Sequence, residues 1–528
     1  MSAIRSLPSH PSLRHLKLEA KRRLAAGEFA TLHDAQAAIA REHGLPGWAA
    51  LKQACTLLAT TGDGYALAHV HWIIDRFRDA GQPDWTPPAE DELREHFDDR
   101  FLAAIPAGQL TETITGAAAD LHGELTVISQ GPLEAVVQLS GARYVAIVTP
   151  EPPHRLIGLR GFTLAERITD TRLKETPPVR TTGRPPPGIT TLAAQARAEL
   201  GLPALLLAGG EPRGPARSPW VVASGHARLD RPQPGEPEPG EPAPLEPGHQ
   251  FPVPGLTGLV TTTAVLRLAA EGRLDLDAPA NEKLCTVRLA DDSVTVRELL
   301  THTGGVDGPT EFYADTVPGL AELMGPVITC GGPRGTIWPS NGGVCVLGQL
   351  LADVTGMPYA RAAARLVLDP LGMRDSWFPA GAQDIATAQD TGGAVTSYTV
   401  TPDGALEPFP AQVSTLQAGA GLWSTGADLV RLGTGWPSLL PAALAREALT
   451  PQTEPDSSGA RIGLGLLLEG GTTAYGGAGL EAVTLLRTRV RDYRTFVVLT
   501  SRAVTVESLD QSLRRSWLDA SVRKAVPA

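Results

Sequence analysis

Residues 259–279, LVTTTAVLRLAAEGRLDLDAP, and residues 295–305, TVRELLTHTGG, decide how this chain is read. Val260, Ala264 and Leu268 recur every fourth residue, which lays an apolar stripe along one side of a helix. Gly272 ends that helix, because glycine accepts the left-handed backbone found just past helix C-termini. Thr295 and Glu298 stand three apart ahead of Leu299 and Leu300, the spacing of a capping box in which each side chain binds the other's free backbone N–H. Gly304 and Gly305 then follow the end of this second helix. A long buried helix, a turn and a short capped helix are predicted.

Around this helical middle lie strand-like runs. WVVAS (220–224) precedes it, while LEAVTLLRTRV (480–490) and TFVVLTS (495–501) follow. A last helix carries Val506, Leu509, Leu513 and Trp517 on one face. An early strand, a long helical stretch and late strands predict one sheet built from both ends of residues 188–528. The Pro/Glu-rich run at 231–248 cannot add to a core and is expected to form an exposed loop. Residues 166–187 are polar and proline-rich, and read as a linker.

Residues 63–165 combine two helix-like stretches (69–80 and 91–105) with four alternating runs, ELTVISQ, LEAVVQL, RYVAIVT and HRLIGLRGF. This predicts an α+β domain with helices on one face of a meander. His69, His71, Asp75 and His96 suggest a ligand cluster, but side chains two apart on a helix do not share a face. Packed or surface histidines are the expectation. Residues 1–62 read as a small helical module, with Leu13, Leu16, Ala20 and Leu24, then Leu32, Ala35 and Ile39, at helical spacing. Its excess of basic residues admits a docking face for a protein partner or a plain solvated surface.

Composition narrows the function. Of the 528 residues, 42% are hydrophobic and 20% charged, as in folded globular proteins. A net charge of -11 argues against nucleic acid, whose phosphates call for a basic face. Four cysteines (Cys55, Cys285, Cys330, Cys345) show no zinc-ligand spacing and are too sparse for a disulfide framework. No apolar leader and no membrane-length apolar run appears, so a soluble, cytoplasmic protein without metal, cofactor or membrane partner is expected. Abundant Arg, Ala, Gly and Pro with little Lys suggests a GC-rich bacterial genome.

Together with GTIWPSNGGVCVLGQLLADVTGMPYARAAARLVLDPLGMRDSWF (335–378) and AGAGLWSTGADLVRL (418–432), the opening stretches resemble the serine β-lactamase and DD-peptidase-like family, in its class C and esterase-like branch. The resemblance implies a mixed α/β, β-lactamase-like domain over 188–528 with a mainly antiparallel sheet and a helical subdomain. The domain at 63–165 is similar to the cone-shaped or cystatin-like domain of clavulanate-pathway-type serine hydrolases. The helical module resembles one at the start of many bacterial proteins and implies no chemistry.

The family acylates a serine that a lysine one helical turn later helps to deprotonate, assisted by the tyrosine of a Y-x-N loop and a K/H-[ST]-G strand. The resemblance places the serine at Gly255 and the lysine at Gly258. It places the loop at Pro339-Ser340-Asn341 and the strand at Gly476-Gly477-Ala478, after Tyr475. Glycine supplies neither nucleophile nor base. Past residue 188 the only lysines are Lys283 and Lys524, and arginine stays protonated. The expectation is therefore a pseudoenzyme that binds a small molecule, with Ser340, Asn341, Tyr475 and Gly477 lining a pocket enlarged by the missing side chains. The rival expectation is a hydrolase, acyltransferase or cyclase with displaced chemistry on Ser340, Thr257 or Tyr475, aided by His249.

Overall fold

The computed structural model describes residues 13–519 apart from 27, 30, 43–47, 49–50, 53–64, 81, 83, 105–106, 117–120, 122–124, 131–133, 140–141, 150–152, 164–167, 175–176, 213–217, 230–241, 310–311, 333, 336, 338–340, 402–403 and 456–459. Pro339, Ser340, Cys55, Lys524 and most of the Pro/Glu-rich run lie outside the described residues. The chain divides into two compact units, one built on Met1–Glu166 and the other on Arg167–Glu454 with Ala460–Ala528.

In the first unit, helices α1 (Leu13–Ala25) and α2 (Leu32–Glu42) bury Leu16, Ala20, Ala35 and Ile39 against Leu51. Helix α3 (Tyr65–Phe77) turns Leu67, Val70, Ile74 and Phe77 inward at three- and four-residue spacing. They pack with Val137, Leu139, Ala146 and Val148 of an antiparallel meander. Its strands are β1 (Thr126–Gln130), β2 (Glu134–Leu139), β3 (Ala142–Val148) and β4 (Leu156–Thr163), paired in sequence order.

His69 on α3 does meet His96, the last residue of α4 (Glu90–His96), with Nδ1 atoms 2.9 Å apart. The backbone carbonyl of His154, 3.0 Å from His69 Nε2, only accepts, so Nε2 carries the proton and His69 Nδ1 accepts from His96. His96 also stacks on Trp72 at 3.7 Å. Burial lowers the pKa of both imidazoles, that of His96 to about 4, so the pair is a neutral packing element. Among the described residues no group of three or more His, Cys, Asp or Glu could hold a metal ion.

The second unit is organised by a nine-stranded antiparallel sheet. Its strands are β5 (Arg180–Thr182), β6 (Ala204–Gly210), β7 (Trp220–Arg228), β8 (Ala243–Pro244), and then β11 (Arg461–Ile462), β12 (Leu467–Glu469), β13 (Thr472–Ala478), β14 (Val483–Arg489) and β15 (Thr495–Thr500). Their order is β11-β12-β13-β14-β15-β6-β7-β5, with β8 also on β7, so β15 and β6 join the two ends of the unit. Alternation along the strands feeds two cores. Ala204, Leu206 and Ala208 of β6 face one, and Leu205 and Leu207 face the other. The second core is covered by α5 (Ile189–Glu199) and the C-terminal helix, whose Leu509, Leu513 and Trp517 are buried there.

The span read as a linker is not one throughout. Arg180–Thr182 pairs with Val221–Ala223 as the sheet's edge strand. Asp170, paired with Arg172 at 2.5 Å, accepts the Leu406 N–H. The prolines at 177–178 and 185–187 flank the strand instead of interrupting it, which an edge tolerates.

On the first core lie α6 (Thr257–Ala270), buried nearly all round, and α7 (Val296–Leu300). The capping box forms: the Glu298 N–H donates to Thr295 Oγ1 at 3.2 Å, and the Thr295 N–H to Glu298 Oε2 at 2.9 Å. Gly272 and Gly305 take φ of +68° and +64°. Among the described residues no helix is long and apolar enough to cross a membrane.

Candidate functional site

Strand β9 (Phe251–Pro252) pairs with β10 (Trp423–Ser424), and Val253 continues the pairing by donating to the Leu422 carbonyl at 3.0 Å. The chain then turns at Gly255, φ +75°, and enters α6. Thr484 of β14 ties this turn down by donating to the Pro254 carbonyl at 2.5 Å.

The turn lies directly on β13. A Cβ at Gly255 would fall 2.4 Å from the Gly476 carbonyl oxygen and 2.7 Å from Gly477 Cα. A Cβ at Gly477 would fall 2.8 Å from Gly255 Cα. Two glycines thus let two backbones cross at a separation no side chain permits. Gly258, one helical turn on, is closed differently: its Cβ would meet the Tyr475 ring at 3.1 Å. The Tyr475 hydroxyl donates to the Gly465 carbonyl and accepts from Thr262 Oγ1 at 3.1 Å, and burial pushes its pKa up to about 12.

The expected enlarged pocket is therefore absent at these two positions. The volume freed by the glycines is taken by β13 backbone and by the tyrosine ring. Close packing explains this, since a void large enough for a side chain forfeits the contacts of its whole lining.

The residues considered for displaced chemistry are tied elsewhere. Thr257 is fully buried, donates to the Val253 carbonyl at 3.2 Å and accepts from the Leu422 N–H at 3.1 Å. His249 Nδ1 accepts from the Glu246 N–H at 2.7 Å, and its Nε2 donates to the Gly392 carbonyl at 3.0 Å. With both nitrogens bound to backbone, and its pKa lowered by burial, His249 holds a loop and has no free nitrogen to serve as a base. Asn341 opens helix α8 (Asn341–Thr355) and is exposed, as is Lys283.

A cleft that the sequence did not point to opens beside this crossing. It is lined by Pro252, Tyr313, Ser397, Phe409, Trp423 and Glu481 among others. Tyr313 is positioned by a two-residue pairing of Tyr313–Ala314 with Val413–Ser414. Its hydroxyl donates to Glu481 Oε2 and accepts from the Leu480 N–H at 3.1 Å, clasping the turn between β13 and β14. The one available signal was a glutamate opening an otherwise apolar strand run, LEAVTLL (480–486).

An antiparallel sheet covered on both faces by helices, with the buried helix α6 starting against β13, defines a β-lactamase-like fold. Residues 217–520 match the family model described as Beta-lactamase, and the chain belongs to that family. Among curated proteins it is similar to Esterase EstB of Burkholderia gladioli, 34% identical over 151 residues, 24% of this chain and 38% of that protein. It is also similar to Protein Rv1367c of Mycobacterium tuberculosis, 27% identical over 219 residues, 34% of this chain and 52% of that one. The chain thus spans about half or less of the length of these relatives. Similar solved structures include a penicillin binding protein from Bacillus halodurans, 19% identical with a TM-score of 0.48 over 61% of this chain and 98% of that one. Another is EstCE1, described as a hydrolase with promiscuous acyltransferase activity, 20% identical with a TM-score of 0.47 over 60% of this chain and 93% of that one.

Proposed function

We propose that this chain is a β-lactamase-related pseudoenzyme, which keeps the family's framework, has lost serine acyl transfer, and works as a ligand-binding or regulatory module. The observation that carries this reading is the contact of Gly255 with Gly476 and Gly477. Nucleophilic catalysis needs an oxygen or sulfur, a base beside it and room for the carbonyl under attack. At Gly255 and Gly258 the first two are missing, and the approach is filled by β13 and Tyr475.

Intact-protein mass spectrometry after incubation with a penicillin and with a fluorophosphonate tests the reading. No mass increase is expected. A stoichiometric adduct would overturn it in favour of a hydrolase, acyltransferase or cyclase with displaced residues, a reading that the similarity to Esterase EstB supports. Ser340 is the residue left to carry that chemistry, since Thr257 and Tyr475 are engaged in the core. Cytoplasmic residence belongs to the same proposal and is supported by free thiols at Cys285, Cys330 and Cys345.

A further inference from the structure

The cleft beside the glycine crossing is narrow, with a cavity volume of about 20 Å³. Two polar groups in it lack the partners that burial ordinarily demands. Glu481 is only 8% exposed, yet the bonds to its carboxyl come from the Tyr313 hydroxyl and its own backbone N–H. Among the described residues no Lys, Arg or His forms an ion pair with it. Buried carboxylates are ordinarily paired with a cation, because an unpaired charge out of water is costly. The second group is Ser397, 4% exposed, whose Oγ has no hydrogen-bond partner among the described residues. A buried hydroxyl without a partner costs free energy that a bound ligand can return.

The rest of the lining is apolar and aromatic. Phe409 packs edge-on against the Tyr313 ring at 5.1 Å, and Pro252 and Trp423 come from the paired strands β9 and β10. A few convergent polar groups on an apolar wall is the usual make-up of a small-molecule site. Aromatic faces also attract cations through their ring quadrupoles.

We propose that this cleft binds a small primary amine, taken as its ammonium ion against Glu481 between aromatic side chains, with the Ser397 hydroxyl as the second polar contact. The proposal rests on the binding-module reading above and names its ligand class. The ammonium supplies the cation that Glu481 lacks, and a carbonyl or hydroxyl on the same ligand gives Ser397 its partner. An anion is disfavoured, because the lining carries a carboxyl and no Lys, Arg or His. A neutral alcohol can hydrogen-bond in the cleft but brings no charge to Glu481.

Isothermal titration calorimetry of the full chain tests this with primary amines from ethylamine to benzylamine, against the matching alcohols from ethanol to benzyl alcohol. Saturable binding of an amine is expected, without binding of its alcohol. Glu481→Gln is expected to weaken the amine about tenfold or more, the worth of one charge-assisted hydrogen bond. Ser397→Ala removes a hydroxyl with no partner to lose, so the fold is kept. It should weaken ethanolamine while leaving ethylamine unchanged. Absence of saturable amine binding, equal binding by the alcohols, or equal affinity in Glu481→Gln would overturn the assignment. Should Glu481→Gln fail to fold, an unchanged ethanolamine affinity in Ser397→Ala would overturn it instead. These outcomes are separate from the acylation experiment. An adduct with penicillin or fluorophosphonate removes the pseudoenzyme reading even where amines bind, and a failure of amine binding leaves the absence of acylation standing.

Discussion

Adding a single methyl group at Gly255 is the sharpest probe of the crossing. Alanine there meets two penalties. The backbone holds φ at +75°, a left-handed conformation that costs an L-residue about 1–2 kcal/mol. Its Cβ also falls 2.4 Å from the Gly476 oxygen and 2.5 Å from the Gly476 carbonyl carbon, backbone atoms that move only with their strand. Overpacking of this kind adds about 1–3 kcal/mol, which brings the whole effect to roughly 2–5 kcal/mol. Gly272 separates the two penalties. It has a similar φ of +68° but nothing within 4 Å of its Cβ position, so Gly272→Ala should cost only the conformational part, about 1–2 kcal/mol. Urea denaturation of the full chain, followed by hydrogen exchange of peptides from Thr472–Thr500, reports the second unit for both variants. Gly255→Ala should shift the midpoint well below that of Gly272→Ala. Agreement of the two within about 0.5 kcal/mol, the scatter of independent sites, would refute the claim that β13 closes the space at Gly255.

Introducing side chains in Gly255→Ser/Gly258→Lys should yield no penicillin or fluorophosphonate adduct by mass spectrometry, since Gly476 and Tyr475 crowd the space those side chains would enter. Tyr475→Phe should lower the stability of the second unit by about 1–3 kcal/mol in urea, the loss of two buried hydrogen bonds. Asp510→Ala breaks a bidentate pair with buried Arg487, both bonds 2.9 Å, and should cost about 1.5–3 kcal/mol by the same assay, since Arg487 keeps its pairing with Glu469. In the first unit, burial holds the His96 pKa near 4, below its ordinary 6.5. The unfolded chain then binds more protons, so stability is full above pH 6.5 and falls as the pH drops toward about 4. Thermal melts of the first unit across that range should flatten in His96→Phe, and an unchanged slope would count against the buried neutral imidazole.

Much of the helical framework could be read from neighbouring residues. The stripe of Val260, Ala264 and Leu268 and the Thr295–Glu298 box rest on contacts three and four residues apart, which a linear pattern displays. That residues 255 and 258 are glycines was equally plain. What fills their place was not. The expectation of an enlarged pocket treated the missing side chains as a vacancy, whereas Tyr475 and the Gly476 backbone occupy it.

The reason lies in distance along the chain. Which residue of β13 faces Gly255 depends on the register of β13 with β14, Gly476 opposite Leu485, and on Thr484 reaching Pro254. The exposed strand at Arg180–Thr182 shows no hydrophobic alternation and exists because β7 offers a free edge. Glu481, Tyr313 and Ser397 are scattered over the chain and meet only through strand pairing and a two-residue bridge. Helix periodicity and caps are written locally, because their hydrogen bonds close within four residues. Strand register and the lining of a cleft are set by hydrogen bonds and packing between distant segments, and only the folded chain brings those together.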